Sequence, residues 1–141
     1  MAAILVVEDE REIRELLQRV LWRDGHRVRL AAHGMEGLQA LQGDCFDLIL
    51  CNIRMPVMDG LAFFARLQQV DPVLAQHTIF CTGDMVSPEI RLFLAGCRQP
   101  VLPKPFAIGE LRSLVARSLQ DQAHRLQAKA APLEMCPAVK S

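Results

Sequence analysis

Five polar side chains stand at the ends of apolar runs that lie far apart in the sequence. They are the adjacent acids Glu8 and Asp9, the amide Asn52, the hydroxyl Thr82 and the ammonium Lys104. Adjacent carboxylates suit Mg²⁺, which prefers oxygen ligands and keeps several waters. A hydroxyl and an ammonium facing such a cation are donors for the oxygens of a phosphoryl group. These residue types predict one site for a cation and a phosphoryl group, with Asn52 where a carboxylate is expected.

Each of these residues also has an ordinary structural explanation. Asp9 can cap a helix, Lys104 can be a solvated surface lysine, and Thr82-Gly83-Asp84 can be a simple loop. Their joint placement at four successive strand ends favours a shared site. The reason is that ligands of an open parallel α/β sheet bind beyond the carboxyl ends of its strands.

The apolar pattern predicts five strand-then-helix units. Short apolar runs rich in branched residues predict strands at 4–7, 27–31, 47–51, 77–81 and 101–102. Apolar residues at helical spacing predict helices near 13–21, 35–41, 61–67, 88–94 and 108–119. The third strand is the most central by composition. The alternation predicts an α/β fold in which a parallel sheet carries helices on both faces.

One domain is predicted over residues 1–120, and residues 121–141 are predicted to be a frayed helix end and a flexible tail. The apolar stripe of the last helix fades after Gln120, and Pro132 and Pro137 prevent a long continuation. The roughly twenty residues that follow are too few for a further folded domain. We therefore expect either a stand-alone protein or a module of a larger one.

Composition argues against several classes of function. The chain has 141 residues, and 51% of them are apolar, which suffices for a core. Its 16 basic and 16 acidic side chains balance, so we expect no nucleic-acid and no membrane partner. No apolar run approaches the ~18 residues of a membrane span, and the N-terminus leaves no room for a secretion leader. Five cysteines without zinc-binding spacing predict a reducing, cytoplasmic setting.

Four sequence blocks resemble the signature of receiver domains, the CheY-like modules of two-component response regulators and hybrid histidine kinases. They are ILVVEDE at 4–10, DLILCNIRMPVMDG at 47–60, Thr82-Gly83 and PKPF at 103–106. The blocks follow the order and spacing of that family over about residues 3–120. The resemblance implies a flavodoxin-like, doubly wound (βα)5 fold, with a five-stranded parallel sheet in the order 2-1-3-4-5.

The resemblance implies a metal site and a phosphoacceptor position. Glu8 and Asp9 match the acids that bind Mg²⁺, and Asn52 matches the aspartate that accepts the phosphoryl group. The backbone carbonyl of Arg54 would be a further ligand of the metal. An amide in place of the aspartate implies weakened Mg²⁺ binding, because one of three clustered negative charges is missing.

The resemblance also assigns residues that respond to the phosphoryl group. Thr82 would move towards it in the active state, and Lys104 would pair with it. The Lys104-Pro105 bond is expected to be cis, as is usual in the family. Val101 replaces the aromatic residue that usually switches together with the threonine, which places a coupled switch of Thr82 and residue 101 in question.

Asn52 changes what this chain is expected to do. An aspartate carboxylate is the nucleophile that forms an acyl phosphate, whereas an amide oxygen carries no full charge. As written, the chain should not be phosphorylated. The amide is either natural, as in a pseudo-receiver, or engineered to keep a receiver unphosphorylated. The intact site around it favours the engineered change, and the sequence does not decide between the two.

Three functions are compatible with this sequence. The first is a receiver that docks a histidine kinase or a histidine phosphotransfer protein and switches conformation. The second is a phosphorylation-independent interaction or dimerisation module that uses the face of the fourth helix, fifth strand and last helix. The third is an enzyme or cofactor binder on a flavodoxin-like scaffold. No Gly-rich phosphate loop is present and the histidines are scattered, so we expect a signalling module and not an enzyme.

Overall fold

The structure of the protein, a computed structural model, describes residues 1–129, with side chains described up to residue 121. Its strands are β1 Ala3–Val7, β2 Arg27–Ala31, β3 Leu48–Asn52, β4 Thr78–Thr82 and β5 Val101–Pro103. Its helices are α1 Arg11–Arg23, α2 Gly34–Gly43, α3 Gly60–Val70, α4 Pro72–Ala75, α5 Pro88–Gly96 and α6 Ile108–Lys129. Among these residues, no helix is both long and apolar enough to cross a membrane.

The five strands form one parallel sheet in the order β2-β1-β3-β4-β5. This confirms the predicted flavodoxin-like order and the central position of β3. All five residues of β3 are buried, whereas the edge strand β2 exposes Arg27 and Arg29. The register places Val7 beside Cys51, Asn52 beside Cys81, and Thr82 beside Pro103. The strands therefore end close together at one edge of the sheet.

Apolar side chains of the central strands alternate between two cores. Leu5, Val7 and Ile49 belong to the core under α2, α3 and α5, while Ile4 and Val6 belong to the core under α1 and α6. Each fully buried aliphatic or aromatic side chain of this kind contributes about 1.5–3 kcal/mol. Three rings pack edge to face in the first core, with centroids 5.1–5.9 Å apart, and they are Phe64, Phe80 and Phe93.

Helix boundaries depart from the prediction at three places. The N-cap of α1 is Glu10 and not Asp9, because the Asp9 carboxylate is directed towards Asn52. The short helix α4 was not predicted, and it begins where the Asp71 carboxylate accepts a hydrogen bond from the Leu74 backbone N–H. Helix α6 continues to Lys129, so the first part of the predicted tail is helical. Residues 130–141 of that tail lie outside the described residues.

Two cysteines of the central strands belong to the core. Cys51 and Cys81 are buried as small apolar side chains. Burial raises the pKa of the Cys81 thiol to about 12, so this sulfur is an inert thiol at neutral pH. Cys51, Cys81 and Cys97 are free. Cys45 is disulfide-bonded.

Candidate functional site

Four strand ends place the predicted polar side chains around one cleft. Asn52 and Thr82 are the last residues of β3 and β4, and Glu8 follows β1 directly. The Glu8 backbone N–H donates to Ala31 O at 2.9 Å, which extends the pairing of β1 with β2 by one residue. The Lys104 backbone N–H donates to Thr82 O at 2.8 Å, which extends the pairing of β5 with β4. Backbone pairing, and not loop conformation, therefore sets these positions.

The side-chain amide of Asn52 lies at the centre of the cleft and is 5% exposed. Its Nδ2 donates to Asp9 Oδ1 at 2.9 Å and to the Arg54 carbonyl oxygen at 2.9 Å. A third, longer contact joins Nδ2 to Glu8 Oε2 at 3.3 Å. All three partners are acceptors, and this sets the orientation of the amide, since only its nitrogen can donate to them.

Glu8 is the most deeply buried acid of the site, with 1% of its surface exposed. Its Oε1 accepts from Lys104 Nζ at 2.7 Å, and its Oε2 accepts from the Glu10 backbone N–H at 3.0 Å. Burial raises the pKa of Glu8, while the hydrogen bond and positive charge of Lys104 oppose that rise. Lys104 therefore reduces the energetic cost of burying the charged Glu8 carboxylate.

Arg14 is a site residue that the sequence analysis missed. Its guanidinium Nη1 donates to the backbone carbonyls of Glu8 at 2.8 Å and Asp9 at 3.2 Å. The arginine thereby holds the chain directly after β1, where the two acids sit. An arginine in the first turns of an amphipathic helix looks like any solvated charge in the sequence, so no pattern pointed to it.

Thr82 is buried, and its hydroxyl is bonded to the loop that follows β4. Its Oγ1 donates to the Asp84 carbonyl at 3.2 Å and accepts from the Asp84 backbone N–H at 3.0 Å. The predicted role of Thr82 towards a phosphoryl group stays a prediction. In this arrangement its hydroxyl stabilises the turn at Asp84.

The carboxylate of Asp84 connects two loops at the mouth of the cleft. Its Oδ1 accepts from the backbone N–H groups of Val86 and Ser87, at 3.0 and 2.9 Å. Its Oδ2 accepts from Nε and Nη2 of Arg54, at 2.9 and 2.8 Å. The hydrogen bond from Ser87, then those from Arg54 and Val86, lower the pKa of Asp84. From the sequence, Asp84 has no predicted role beyond a possible position in a simple loop.

The loop between β3 and α3 is held by its own backbone. Gly60 N–H donates to Ile53 O at 2.7 Å, and a Cβ atom on Gly60 would clash with Asn52 O. Met58 N–H donates to Pro56 O at 2.7 Å, which closes a γ-turn around Val57 at φ +68°. This tight loop fixes the position of the Arg54 carbonyl that accepts the Asn52 amide.

Comparison with known proteins identifies the family to which this site belongs. The profile of the response regulator receiver domain matches residues 4–116. The chain is a receiver domain. The match lies inside the predicted domain 1–120, and it places this receiver in two-component signalling. The boundary at residue 120 stays a prediction.

One curated relative and two solved structures show how similar this receiver is to known proteins. The response regulator MprA of Mycolicibacterium vanbaalenii is 36% identical over 125 residues, which cover 84% of this chain and 52% of MprA. The receiver therefore spans about half the length of that relative. A CheY-like receiver from Methanospirillum hungatei superposes with a TM-score of 0.79 at 27% identity, covering 89% of this chain and 98% of the other.

The second solved structure is a receiver with a metal ion in its cleft. It is the receiver domain of the sensor histidine kinase PA1611 from Pseudomonas aeruginosa, with magnesium coordinated in the active site. It is 25% identical to this receiver, with a TM-score of 0.74, and the alignment covers 84% of this chain and 98% of that domain. Magnesium binding in the same cleft is therefore a property of a similar receiver.

Two further expectations for this receiver concern β5. The Lys104-Pro105 peptide bond is cis, as predicted. Val101 is half-buried where an aromatic residue is usual, and it packs against the core that contains Phe80 and Phe93. Its Cα pairs with that of Phe80 across β4 and β5. Whether Val101 participates in a switch with Thr82 stays a prediction.

The side chains of this receiver, as arranged, do not fit a divalent cation. Within the described residues, no group of three or more histidine, cysteine, aspartate or glutamate side chains is placed to hold a metal ion. Glu8, Asp9 and the Arg54 carbonyl supply three oxygens, but the Asn52 Nδ2 already donates to all three. A cation would have to displace that amide.

Proposed function

We propose that this receiver acts in a two-component phosphorelay as a partner-binding domain that does not itself accept a phosphoryl group. The observation that carries the proposal is the amide of Asn52 at the phosphoacceptor position. An acyl phosphate requires a charged carboxylate oxygen as nucleophile. Asn52 offers a neutral amide oxygen, and its nitrogen is bonded to Asp9 and Arg54. The site retains the architecture of a receiver without its nucleophile.

The proposed partners are a histidine kinase or a histidine phosphotransfer protein. The resemblance to the receiver of a sensor histidine kinase supports this class of partner. Docking would take place at the cleft mouth, where the loops after β1, β3 and β4 are exposed to solvent. We propose that the protein meets these partners in the cytoplasm. Neither nucleic acid nor membrane is a proposed partner, since the charge of the chain is balanced.

We further propose that Mg²⁺ binds this receiver weakly. Two carboxylates remain where three would cluster in a receiver with aspartate at position 52. Charges about 4 Å apart interact by on the order of 4 kcal/mol at an effective dielectric of ~20, before solvent screening. Removing one charge therefore removes a large part of the attraction for a divalent cation.

The central experiment is phosphorylation by a small phosphoryl donor with Mg²⁺, read by intact mass. The chain, Asn52→Asp and Asn52→Ala would be incubated in parallel. We expect the mass of one added phosphoryl group on Asn52→Asp alone. An adduct on the unchanged chain would overturn the proposal. No adduct on Asn52→Asp would show that the amide is not the feature that blocks phosphorylation.

A specific observation favours the dimerisation module as the second candidate function. Leu92 is 78% exposed and belongs to α5, which is the fourth of the predicted helices and part of the proposed dimer face. Sedimentation at increasing protein concentration would reveal a dimer, and Leu92→Asp would then abolish it. Val73→Asp is the matched control, because Val73 is a similarly exposed apolar residue on α4. A monomer at all concentrations would rule this candidate out.

A further inference from the structure

We infer that the side-chain amide of Asn52, assisted by Lys104, takes the place of the divalent cation in this cleft. The cleft then keeps one structure with and without millimolar Mg²⁺, because the weak binding proposed above requires a higher concentration. The inference rests on the proposed assignment of Asn52 to the phosphoacceptor position. It goes further by stating what stabilises the two remaining acids when no metal is bound.

The hydrogen bonds of the amide match the oxygens that a cation would bind. An amide group has two hydrogens, and it uses them on Asp9 Oδ1 and the Arg54 carbonyl, both at 2.9 Å. The longer contact of 3.3 Å to Glu8 Oε2 is the weakest of the three. That oxygen also accepts from the Glu10 backbone N–H at 3.0 Å. Every oxygen around the amide therefore has a donor without a metal ion.

Lys104 supplies the positive charge that a neutral amide lacks. Its Nζ lies 2.7 Å from Glu8 Oε1 and 3.8 Å from Glu10 Oε1, and its side chain is 13% exposed. Glu8 thus has an ion pair on one oxygen and hydrogen-bond donors on the other. Asp9 is less buried than Glu8, and it accepts a hydrogen bond from the Asn52 amide. Lys104 thus compensates the charge of Glu8, while the charged Asp9 carboxylate accepts a hydrogen bond from the neutral Asn52 amide.

An aspartate at position 52 would reverse this arrangement. A carboxylate has no hydrogens to donate, so it would face Glu8, Asp9 and the Arg54 carbonyl as a fourth acceptor group. Such a cluster requires a cation, and the amide removes that requirement. For Mg²⁺ to enter the unchanged cleft, the Asn52 amide must turn its oxygen inwards and lose its two short hydrogen bonds.

The chain offers a direct test, because Asn52 is its only asparagine. Labelling with ¹⁵N-asparagine yields one backbone signal and one side-chain NH₂ pair in a two-dimensional ¹H–¹⁵N spectrum. We expect the two side-chain protons to be well separated, slow to exchange with water, and unmoved by millimolar Mg²⁺. A side-chain pair at the position of a solvated amide, or one that shifts and saturates with Mg²⁺, would overturn the inference.

Variants separate the amide's hydrogen bonds from general stability. Asp9→Ala removes one acceptor and should bring the NH₂ protons together and speed their exchange. Asp71→Ala is the control, because it removes a helix cap outside the cleft and should leave the pair unchanged. The unfolding temperature of the chain should not respond to Mg²⁺, whereas that of Asn52→Asp should rise. Equal responses of both would contradict the inference.

The two proposals fail in different ways. An NH₂ pair that responds to Mg²⁺, with no phosphoryl adduct on the chain, overturns this inference and leaves the proposed function standing. A phosphoryl adduct on the chain, with an NH₂ pair silent to Mg²⁺, overturns the proposed function instead.

Discussion

Arg54 and Asp84 join the two loops that flank the cleft, although they are 30 residues apart in the sequence. Both Nε and Nη2 of Arg54 donate to one oxygen, Asp84 Oδ2, at 2.9 and 2.8 Å. The backbone of Arg54 accepts the Asn52 amide, and the backbone of Asp84 bonds to the Thr82 hydroxyl. The exposed ion pair between Arg54 and Asp84 thus connects Asn52 at the end of β3 with Thr82 at the end of β4.

Breaking this ion pair should raise the pKa of Asp84 towards its ordinary value. In the folded protein that pKa is lowered, so Asp84 contributes stability above its ordinary value of 3.8, and this contribution is lost as pH falls through the folded pKa. In Arg54→Met the ionised Asp84 carboxylate should contribute less to the stability of the fold. The loss of stability on lowering the pH should therefore be smaller in this variant. The measurement is the Asp84 carboxyl pKa by ¹³C NMR, together with unfolding at several pH values.

Arg112→Met is the matched control for Arg54→Met. Arg112 donates from Nε and Nη2 to Asp24, at 3.0 and 2.9 Å, so it is also an exposed arginine–carboxylate pair. Its removal should leave the Asp84 pKa unchanged. A shift of the same size in both variants would show that the Asp84 pKa reports a general change in charge.

Removing the lysine that pairs with the buried acid should destabilise the protein in a pH-dependent way. Lys104→Met leaves Glu8 charged and without its ion pair, a loss of about 3 kcal/mol at neutral pH. The folded pKa of Glu8 is already raised above its ordinary value of 4.5, so ionisation destabilises the fold as pH rises through that window. Lys104→Met should raise the pKa of Glu8 further, because it removes the positive charge that stabilises the ionised carboxylate. The loss should therefore be small below pH 4.5 and grow with rising pH, as measured by denaturant unfolding.

The partner variant Glu8→Gln tests whether the effect of Lys104→Met comes from the ion pair. In the double variant no uncompensated buried charge remains, so most of the stability lost in Lys104→Met should return. A double variant whose loss equals the sum of the two single losses would contradict an interaction between the two residues.

A methyl group at position 60 should disrupt the loop that holds the Arg54 carbonyl. The Cβ of Gly60→Ala would clash with Asn52 O and lie 2.8 Å from Ile53 Cα, and both are backbone atoms at the end of β3 that cannot move independently of the chain. We expect a loss of about 3 kcal/mol in unfolding free energy. Gly109→Ala is the control, because nothing lies within 4 Å of its Cβ. That helical alanine should stabilise the protein by about 0.5 kcal/mol.

Relieving the strained residue in the same loop should stabilise the protein. Val57 has φ +68° although it is β-branched, a conformation that costs about 1–2 kcal/mol. Its side chain is 78% exposed, so little packing is lost on replacement. Val57→Gly should gain about 0.5 kcal/mol in unfolding free energy, because glycine has no Cβ that opposes a positive φ. Val86→Gly, at a valine that is 79% exposed and has no positive φ, should lose stability instead. Equal changes at both positions would rule out backbone strain as the cause.

Much of the fold follows from local patterns in the sequence. Branched apolar runs and helical periodicity predicted every strand and all helices except α4, since burial demands a repeat of two or 3.6 residues. The short helix α4 escaped because four residues, Pro72–Ala75, carry no period. Asp9 is of a residue type that can cap a helix, but its neighbour Glu10 takes that position.

By itself, the sequence determined which residues meet in the cleft. Glu8, Asn52, Thr82 and Lys104 stand at the ends of parallel strands, and such ends converge whatever the loops do. The amide at position 52 and the balanced charge are also properties of the sequence alone.

Only the tertiary structure decided how those residues are bonded. It directs the Asn52 nitrogen towards Asp9 and the Arg54 carbonyl, and it pairs Glu8 with Lys104 across 96 residues. It also connects Arg54 to Asp84. Hydrogen bonds depend on distances of a few tenths of an ångström between separate loops, and no periodicity encodes those distances. Strand order brings the groups together, and side-chain packing selects which donor meets which acceptor.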